Sequence, residues 1–397
     1  MPIQLLQKLI TYPTITPKEC GIYQYILSGF TPILQNPNYQ SLQITQEKEG
    51  VKNCFYAIYP KSANKEHLRH LCFAGHIDVV PTGEGWEVEP FSGKEKDGYI
   101  YGRGAQDMKG GISSFICAIT QSLQNPDFTK QFLQSQCMLS FLLTSDEEGD
   151  GIYGTRFMLA ELESQNLLPD MCIVAEPTST NSSGDMIKIG RRGSINGTII
   201  IQGKQGHVAY PQKCINPIEL LGAKLGALAG VALDSGNADF AKSQLVITDI
   251  RGGMEVVNVT PQNLKIMFNI RNSPLSNEDS IRSYIEQVLQ GLPYELELKT
   301  SSLPFITKAD SPLVTLLCHA IKHITHKSPE LSTSGGTSDA RFFAQYGVDV
   351  VELGVPNDRI HAINERVSIG DILLLRDIFI DFLALFLENA KSIEYKE

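Results

Sequence analysis

The stretch Leu71-Cys72-Phe73-Ala74-Gly75-His76-Ile77-Asp78, with the later Gly102-Arg103-Gly104-Ala105-Gln106-Asp107-Met108-Lys109-Gly110-Gly111, decides the fold. The apolar run 71–74 predicts a short buried strand, which Gly75 breaks so that His76 and Asp78 sit at its exit. The second string places Asp107 just before an apolar helix that begins near Ile112. If both loops finish at one edge of the same sheet, His76 and Asp107 can face one metal ion while Asp78 hydrogen-bonds the far nitrogen of His76. Imidazole and carboxylates gathered at strand ends point to metal-dependent hydrolysis.

Outward from this stretch the chain alternates. Upstream, helices are expected over 3–10 and 22–30 and two strands over 42–59, ending in a polar turn at 60–66. Downstream come a helix over 112–123, a strand over 138–143, a helix over 154–165 and a strand over 171–175. Strands alternating with helices predict an α/β fold with a mixed, mostly parallel sheet flanked by helices. After Ile187 the pattern changes to strand 194–202, helix 217–233, strands 244–250 and 263–270, helix 278–289 and strand 295–300. This βαββαβ order has the size of a small ferredoxin-like domain. We expect it to be inserted, dividing the chain into 1–190, 191–302 and 303–397. Helices over 312–325, 339–346 and 369–388 and a strand over 348–353 complete the first layer, and 391–397 is expected to fray.

A length of 397 residues suffices for a sizeable core, and 42% hydrophobic with 20% charged residues is ordinary for a globular protein. The net charge of −10 argues against nucleic acid or an anionic membrane as partner and leaves a small molecule. The N-terminus shows neither a basic region followed by a long apolar stretch nor a membrane span. Eight scattered cysteines without a Cys-x-x-Cys pair read as reduced, buried residues of a cytoplasmic protein, not as a zinc-thiolate site.

The pattern of the opening stretch recurs. The buried strand over 138–143 runs into Asp146-Glu147-Glu148-Gly149, the run Cys172-Ile173-Val174-Ala175 ends in Glu176, and Val350-Val351-Glu352-Leu353-Gly354 leads to a loop with His361. Each alone is ordinary, as a solvated turn, a helix cap or an incidental histidine. Together they deliver ligand-type residues at the end of the sheet where α/β folds bind ligands. His76, Asp107, Glu148, Glu176 and His361 are too many for one ion with room for substrate, so two ions sharing Asp107 are expected, Glu148 and His361 on one and His76 and Glu176 on the other. Zinc suits the nitrogen donors, with cobalt or manganese possible. Adjacent side chains on a strand leave in opposite directions, which frees Glu147 to act as general base and then proton donor.

These strings resemble the dinuclear zinc aminoacylase and carboxypeptidase superfamily, peptidase family M20. The resemblance rests on Gly75 to Pro81, Gly102 to Gly110, Ser145-Asp146-Glu147-Glu148-Gly149 and Ala175-Glu176-Pro177. Gly190-Arg191-Arg192-Gly193-Ser194, Gly206-His207-Val208-Ala209-Tyr210-Pro211 and Ser332-Thr333-Ser334-Gly335-Gly336-Thr337-Ser338-Asp339 are similar to its desuccinylase subfamily in particular. The resemblance implies a zinc-peptidase-like catalytic domain whose insert is a lid through which a homodimer forms, with His207 reaching the other subunit's active site to stabilise the oxyanion. It assigns Asp78, Glu147 and His207 to catalysis. Arg191, Ser194, Asn258, Arg271, Gly336 and Thr337 would hold an N-acyl amino acid with several carboxylates, which the guanidinium fork suits.

The activity so implied is removal of the succinyl group from N-succinyl-L,L-diaminopimelate, in lysine and diaminopimelate biosynthesis. An acetylornithine deacetylase or dipeptidase is the nearest alternative, and a non-catalytic scaffold of the same fold a more distant one. The segment 81–91 is shorter and more acidic than the usual family loop, and 149–154 and 354–361 also depart from the pattern. These departures bear on acyl-group preference.

Overall fold

The computed structural model describes residues 1–64 and 68–390. The end of the turn expected at 60–66 and the expected fraying of 391–397 lie outside the described residues. The chain divides into two compact units, one comprising Met1–Ile189, Thr307–Ser332 and Ser338–Glu397, the other Gly190–Ile306 and Thr333–Thr337. The second unit thus runs past the expected 191–302 at both ends and takes back a short piece of the later chain.

The first unit is built on an eight-stranded sheet in the order Tyr39–Lys48, Val51–Pro60, Cys137–Thr144, Arg69–His76, Met171–Val174, Asp349–Glu352, Met186–Lys188, Glu330–Ser332. The four central strands, from Cys137–Thr144 to Asp349–Glu352, are parallel to one another, while the Tyr39–Lys48 and Val51–Pro60 pair joins them antiparallel. Every residue of the strands Cys137–Thr144, Arg69–His76 and Met171–Val174 is buried, as expected of parallel strands covered on both faces. Phe73 stacks on Phe115 of the helix Lys109–Gln124 at 5.4 Å and meets Phe379 of the helix Ile369–Asn389 edge-on at 5.2 Å. All three rings are fully buried, each contributing roughly 1.5–3 kcal/mol to the layer contact.

Gly75 does not break its strand. The parallel ladder continues through Gly75 opposite Leu143 to His76 opposite Thr144. The glycine serves close packing, because a Cβ there would lie 2.7 Å from the Met108 methyl carbon. His76 therefore closes a hydrogen-bonded strand instead of opening a loop.

The second unit holds a four-stranded antiparallel sheet in the order Gln244–Gly252, Asn263–Asn272, Gly193–Gln202, Tyr294–Ser302. Ile281, Ile285 and Leu289 of the helix Glu278–Leu289 pack with Ile195, Ile199, Ile266 and Ile270 into its core. Asn277 caps that helix in a reciprocal box with Ser280.

The helix expected over 217–233 is a single helix only over Pro217–Gly222, followed by a 3-10 turn at Leu225–Ala227. Gly222, Gly226 and Gly230 explain the difference: each weakens a helix by about 1 kcal/mol relative to alanine, and Gly230 turns left-handed at φ 71°. The helix Pro126–Leu133 and the small sheet of Lys94–Lys96, Tyr99–Tyr101 and Arg366–Ser368 add to the elements expected from sequence. Among the described residues no helix is long and apolar enough to cross a membrane.

Candidate metal centre and active site

Parallel strands deliver their C-terminal ends to one edge, and the first unit brings its acids and imidazoles together there. His76 closes the strand Arg69–His76, Glu147 and Glu148 follow Cys137–Thr144, and Glu176 follows Met171–Val174. Asp107 precedes the helix Lys109–Gln124, and its peptide bond to Met108 is cis. His361 stands in the loop after Asp349–Glu352 with its backbone left-handed at φ 60°.

Two triads of potential ligand atoms share the Asp107 carboxylate, His76 with Asp107 and Glu176, and Asp107 with Glu148 and His361, while a third groups His76 with Glu147 and Glu148. The His76 Nε2 atom lies 3.2 Å from Asp107 Oδ1 and 3.9 Å from Glu176 Oε1. The His361 Nε2 atom lies 3.4 Å from Asp107 Oδ2 and 2.9 Å from Glu148 Oε1. Glu147, outside the two triads that meet at Asp107, has Oε2 4.0 Å from His76 Nε2.

Asp78 departs from expectation in detail. At hydrogen-bond distance, 2.9 Å, His76 Nδ1 meets the backbone carbonyl of Asp78, while the carboxylate Oδ1 is 3.6 Å away. The other carboxylate oxygen instead accepts the Glu148 backbone N–H at 3.2 Å. The strand turns sharply enough after His76 to bring the Asp78 carbonyl back under the ring, leaving the fully buried carboxylate to brace the Glu147-Glu148 turn. Asp146 stays out of both triads and accepts the backbone N–H groups of Ile152 and Tyr153 at 2.8 and 2.9 Å.

Crowding these groups shifts them in opposed directions. Burial, reinforced by Asp339, Asp107 and Glu148 and opposed by His76, pushes Glu147 up to about 8. Burial and the neighbouring Asp107 hold Glu176 well above the usual carboxylate range. Burial works against the charge of Asp107 too, but hydrogen bonds from His361 and His76 hold it below the usual range. Hydrogen bonds to Asp107 and Glu148 raise His361 to about 10, and His76 is raised by Asp107, Asp78 and further acids against the effect of its burial.

The donor set fits divalent cations. Four carboxylates and two imidazoles converge in a largely buried space, and Glu176 Oε1 and Asp78 Oδ1 are buried there without a hydrogen-bond partner. Buried anionic oxygens of this kind are stabilised by pairing or by coordinating a metal. His76, Asp107 and Glu176 could hold one ion and Asp107, Glu148 and His361 another.

Sequence reading missed a buried acid beside this centre. Glu365 is fully buried and accepts the backbone N–H groups of Gly104, Gln106 and Asp107 at 3.0, 2.8 and 3.2 Å, as well as Arg103 Nη1 at 2.8 Å. Nothing in the local string Asn364-Glu365-Arg366 marks it, because its partners lie far off in sequence.

The remaining expected site residues belong to the second unit. Arg191 is buried and its Nη1 donates to the Ser334 carbonyl at 2.7 Å, and exposed Gly336 and half-buried Thr337 follow in the same segment. Ser194 stands opposite Arg271 across the ladder, its hydroxyl accepting from Asn269 at 3.1 Å. His207 is exposed, its Nδ1 accepts the Ala209 N–H at 3.1 Å, and the nearby Asn258 carbonyl accepts the Val208 N–H at 3.1 Å.

The sequence model of peptidase family M20/M25/M40 matches residues 72–385. A succinyl-diaminopimelate desuccinylase of Helicobacter hepaticus is 69% identical over 391 residues, covering 98% of this chain and 99% of that protein. A protein of the same name from Wolinella succinogenes is 51% identical over 381 residues, with 96% and 98% covered. Among solved structures, aminopeptidase PepT from Bacillus cereus superposes with a TM-score of 0.75 at 19% identity, covering 97% of each chain, a likeness of fold.

Proposed function

The chain belongs to peptidase family M20/M25/M40, and from that premise we propose that it is a metal-dependent amide hydrolase that releases succinate and L,L-diaminopimelate from N-succinyl-L,L-diaminopimelate. The observation that carries the hydrolase is the pair of triads meeting at Asp107, with Glu147 outside that pair and 4.0 Å from His76 Nε2. The near full-length identity to desuccinylases supports the substrate.

In this reading His76, Asp107 and Glu176 would hold one ion and Asp107, Glu148 and His361 the other, zinc by preference with cobalt or manganese as substitutes. Ions held there would supply Lewis acidity toward the amide carbonyl and would favour ionisation of water at neutral pH. Glu147 takes the proton from the attacking water and hands it to the departing amine nitrogen as the C–N bond breaks. Burial and the neighbouring acids raise the affinity of Glu147 for a proton, as a shuttle requires, and nearby cations would lower it toward the working range. Asp78 fixes the His76 ring through its carbonyl and steadies the turn that carries Glu147 and Glu148.

The proposal extends to the second unit. Arg191 and Arg271 bind substrate carboxylates, with Ser194, Asn258, Gly336 and Thr337 lining the same substrate. The enzyme works as a cytoplasmic homodimer in which His207 of one copy stabilises the oxyanion in the other. Assay of the zinc-loaded protein on N-succinyl-L,L-diaminopimelate, N-acetylornithine and dipeptides tests the assignment. Preferred turnover of the first is expected, and preferred turnover of either other class would overturn the substrate while leaving the hydrolase standing.

A further inference from the structure

Two loops from distant parts of the chain meet behind the metal centre, and one buried ion pair joins them. Arg103 and Glu365 are 2% and 0% exposed and touch at 2.8 Å. Glu365 has its two carboxylate oxygens filled by four donors, Arg103 and the amides of Gly104, Gln106 and Asp107, so it grips the backbone up to Asp107 itself. Arg103 reaches the other way. Its Nη2 donates to the carbonyls of His361, Pro81 and Thr82 at 3.3, 3.2 and 3.1 Å, and its Nη1 to that of Ala362 at 3.2 Å. Gln106 adds a second brace, donating to Asp358 at 2.6 Å and accepting the Arg359 N–H at 2.8 Å.

We infer that the Arg103–Glu365 pair is a positioning device that sets the spacing between Asp107 and His361. The inference rests on the metal reading proposed above. Neither ligand is fixed by a strand: Asp107 sits at the end of a loop, and His361 is a half-exposed side chain on a left-handed backbone that its surroundings must hold in place. A buried ion pair is a poor device for stability alone, since apolar replacements of similar volume often serve as well. What a guanidinium fork and a carboxylate provide here is fixed geometry, with donors and acceptors aimed at separate backbone segments. Partners of this kind behind metal ligands govern affinity for the ion.

The test uses chelator-stripped full-length protein titrated with cobalt(II), followed by visible absorption and by fluorescence of Trp86. Trp86 is the single tryptophan in the chain, and the Arg103 guanidinium lies 5.3 Å from its ring centroid. Glu365→Gln keeps the size of the side chain but turns an amide donor toward Arg103 or the backbone amides. Cobalt binding is expected to weaken by about 10–100-fold, most in the step that engages His361. In zinc-dependent turnover, kcat should fall at limiting metal and recover with excess, with KM little changed. Arg103→Lys retains the charge but loses the fork, and should shift the same titration and the Trp86 emission.

Variants whose folded fraction titrates with cobalt as wild type does would overturn the inference, however much their thermal stability had dropped. Should Glu365→Gln fail to fold, Arg103→Lys decides by the same criterion. A wild-type protein that takes up no cobalt would instead sink the metal reading itself, an outcome distinct from both.

Discussion

His70 and His76 stand near the two ends of one strand, Arg69–His76, and are equally hidden from solvent at 5% and 2% exposure. At the N-terminal end His70 meets the Ser140 hydroxyl at 2.6 Å, and burial pushes its pKa down to about 4. At the C-terminal end His76 faces Asp107, Glu147 and Glu176 and is pushed the opposite way. Burial alone does not make a site. What distinguishes the two ends is that the loops after neighbouring parallel strands all empty their carboxylates at one of them.

The severest trial of that contrast removes an acid from the convergent end without touching a proposed ligand. Glu147→Gln should lower kcat by about 10²–10⁴-fold while zinc content and the circular dichroism spectrum stay as in wild type. Near-normal turnover would reject Glu147 as the proton carrier.

Next in size is a comparison within the convergent end. His76→Asn removes a ligand from a rigid strand, and His361→Asn removes one from a loop. Each should weaken metal binding by more than the roughly 10–100-fold typical of losing a second-layer partner. His76→Asn should affect both ions, because its ring also hydrogen-bonds the shared Asp107, whereas His361→Asn should leave one equivalent tightly held. Equal stoichiometries by elemental analysis in the two variants would erase the distinction between strand-borne and loop-borne ligands.

The smallest effect belongs to the quiet end of the strand. His70 has a folded pKa of about 4 against about 6.5 unfolded, so the unfolded chain takes up the proton first as the medium is acidified. Its contribution is fully present above pH 6.5 and is lost as pH falls toward 4, in all about 3 kcal/mol. Urea denaturation of chelator-stripped protein at pH 7 and pH 4.5 should therefore show a smaller acid-induced loss in His70→Gln than in wild type. An identical loss in both would mean that His70 is not held neutral by its surroundings.

The sequence discloses these features unevenly, for physical reasons. The central strands are legible because parallel strands covered on both faces must be continuously apolar, as Leu71 to Ala74 and Met138 to Leu143 are. The side chains that gather at their ends are legible because a strand's exit is a fixed place in an α/β sheet. The helix over 217–233 misleads because its apolar spacing outweighs three glycines in a pattern count but not in the backbone. Gly75 reads as a breaker because its reason, the Met108 side chain, lies elsewhere in the chain. Glu365 escapes for the same cause, since its value comes wholly from contacts with residues 103–107. Long-range hydrogen bonds to backbone atoms leave no trace in local residue types.

The long segment of the second unit begins and ends on paired backbone. The segments leading into and out of it, Gly190–Arg191 and Phe305–Ile306, run antiparallel and pair directly, Gly190 opposite Ile306. The two ends of the long segment 190–306 thus lie side by side, and joining them with a short glycine bridge costs little chain entropy. The segment 190–306 can therefore be exchanged between related chains as one piece with adjoining ends, provided that Thr333–Thr337, which belongs to the same compact unit, is exchanged with it.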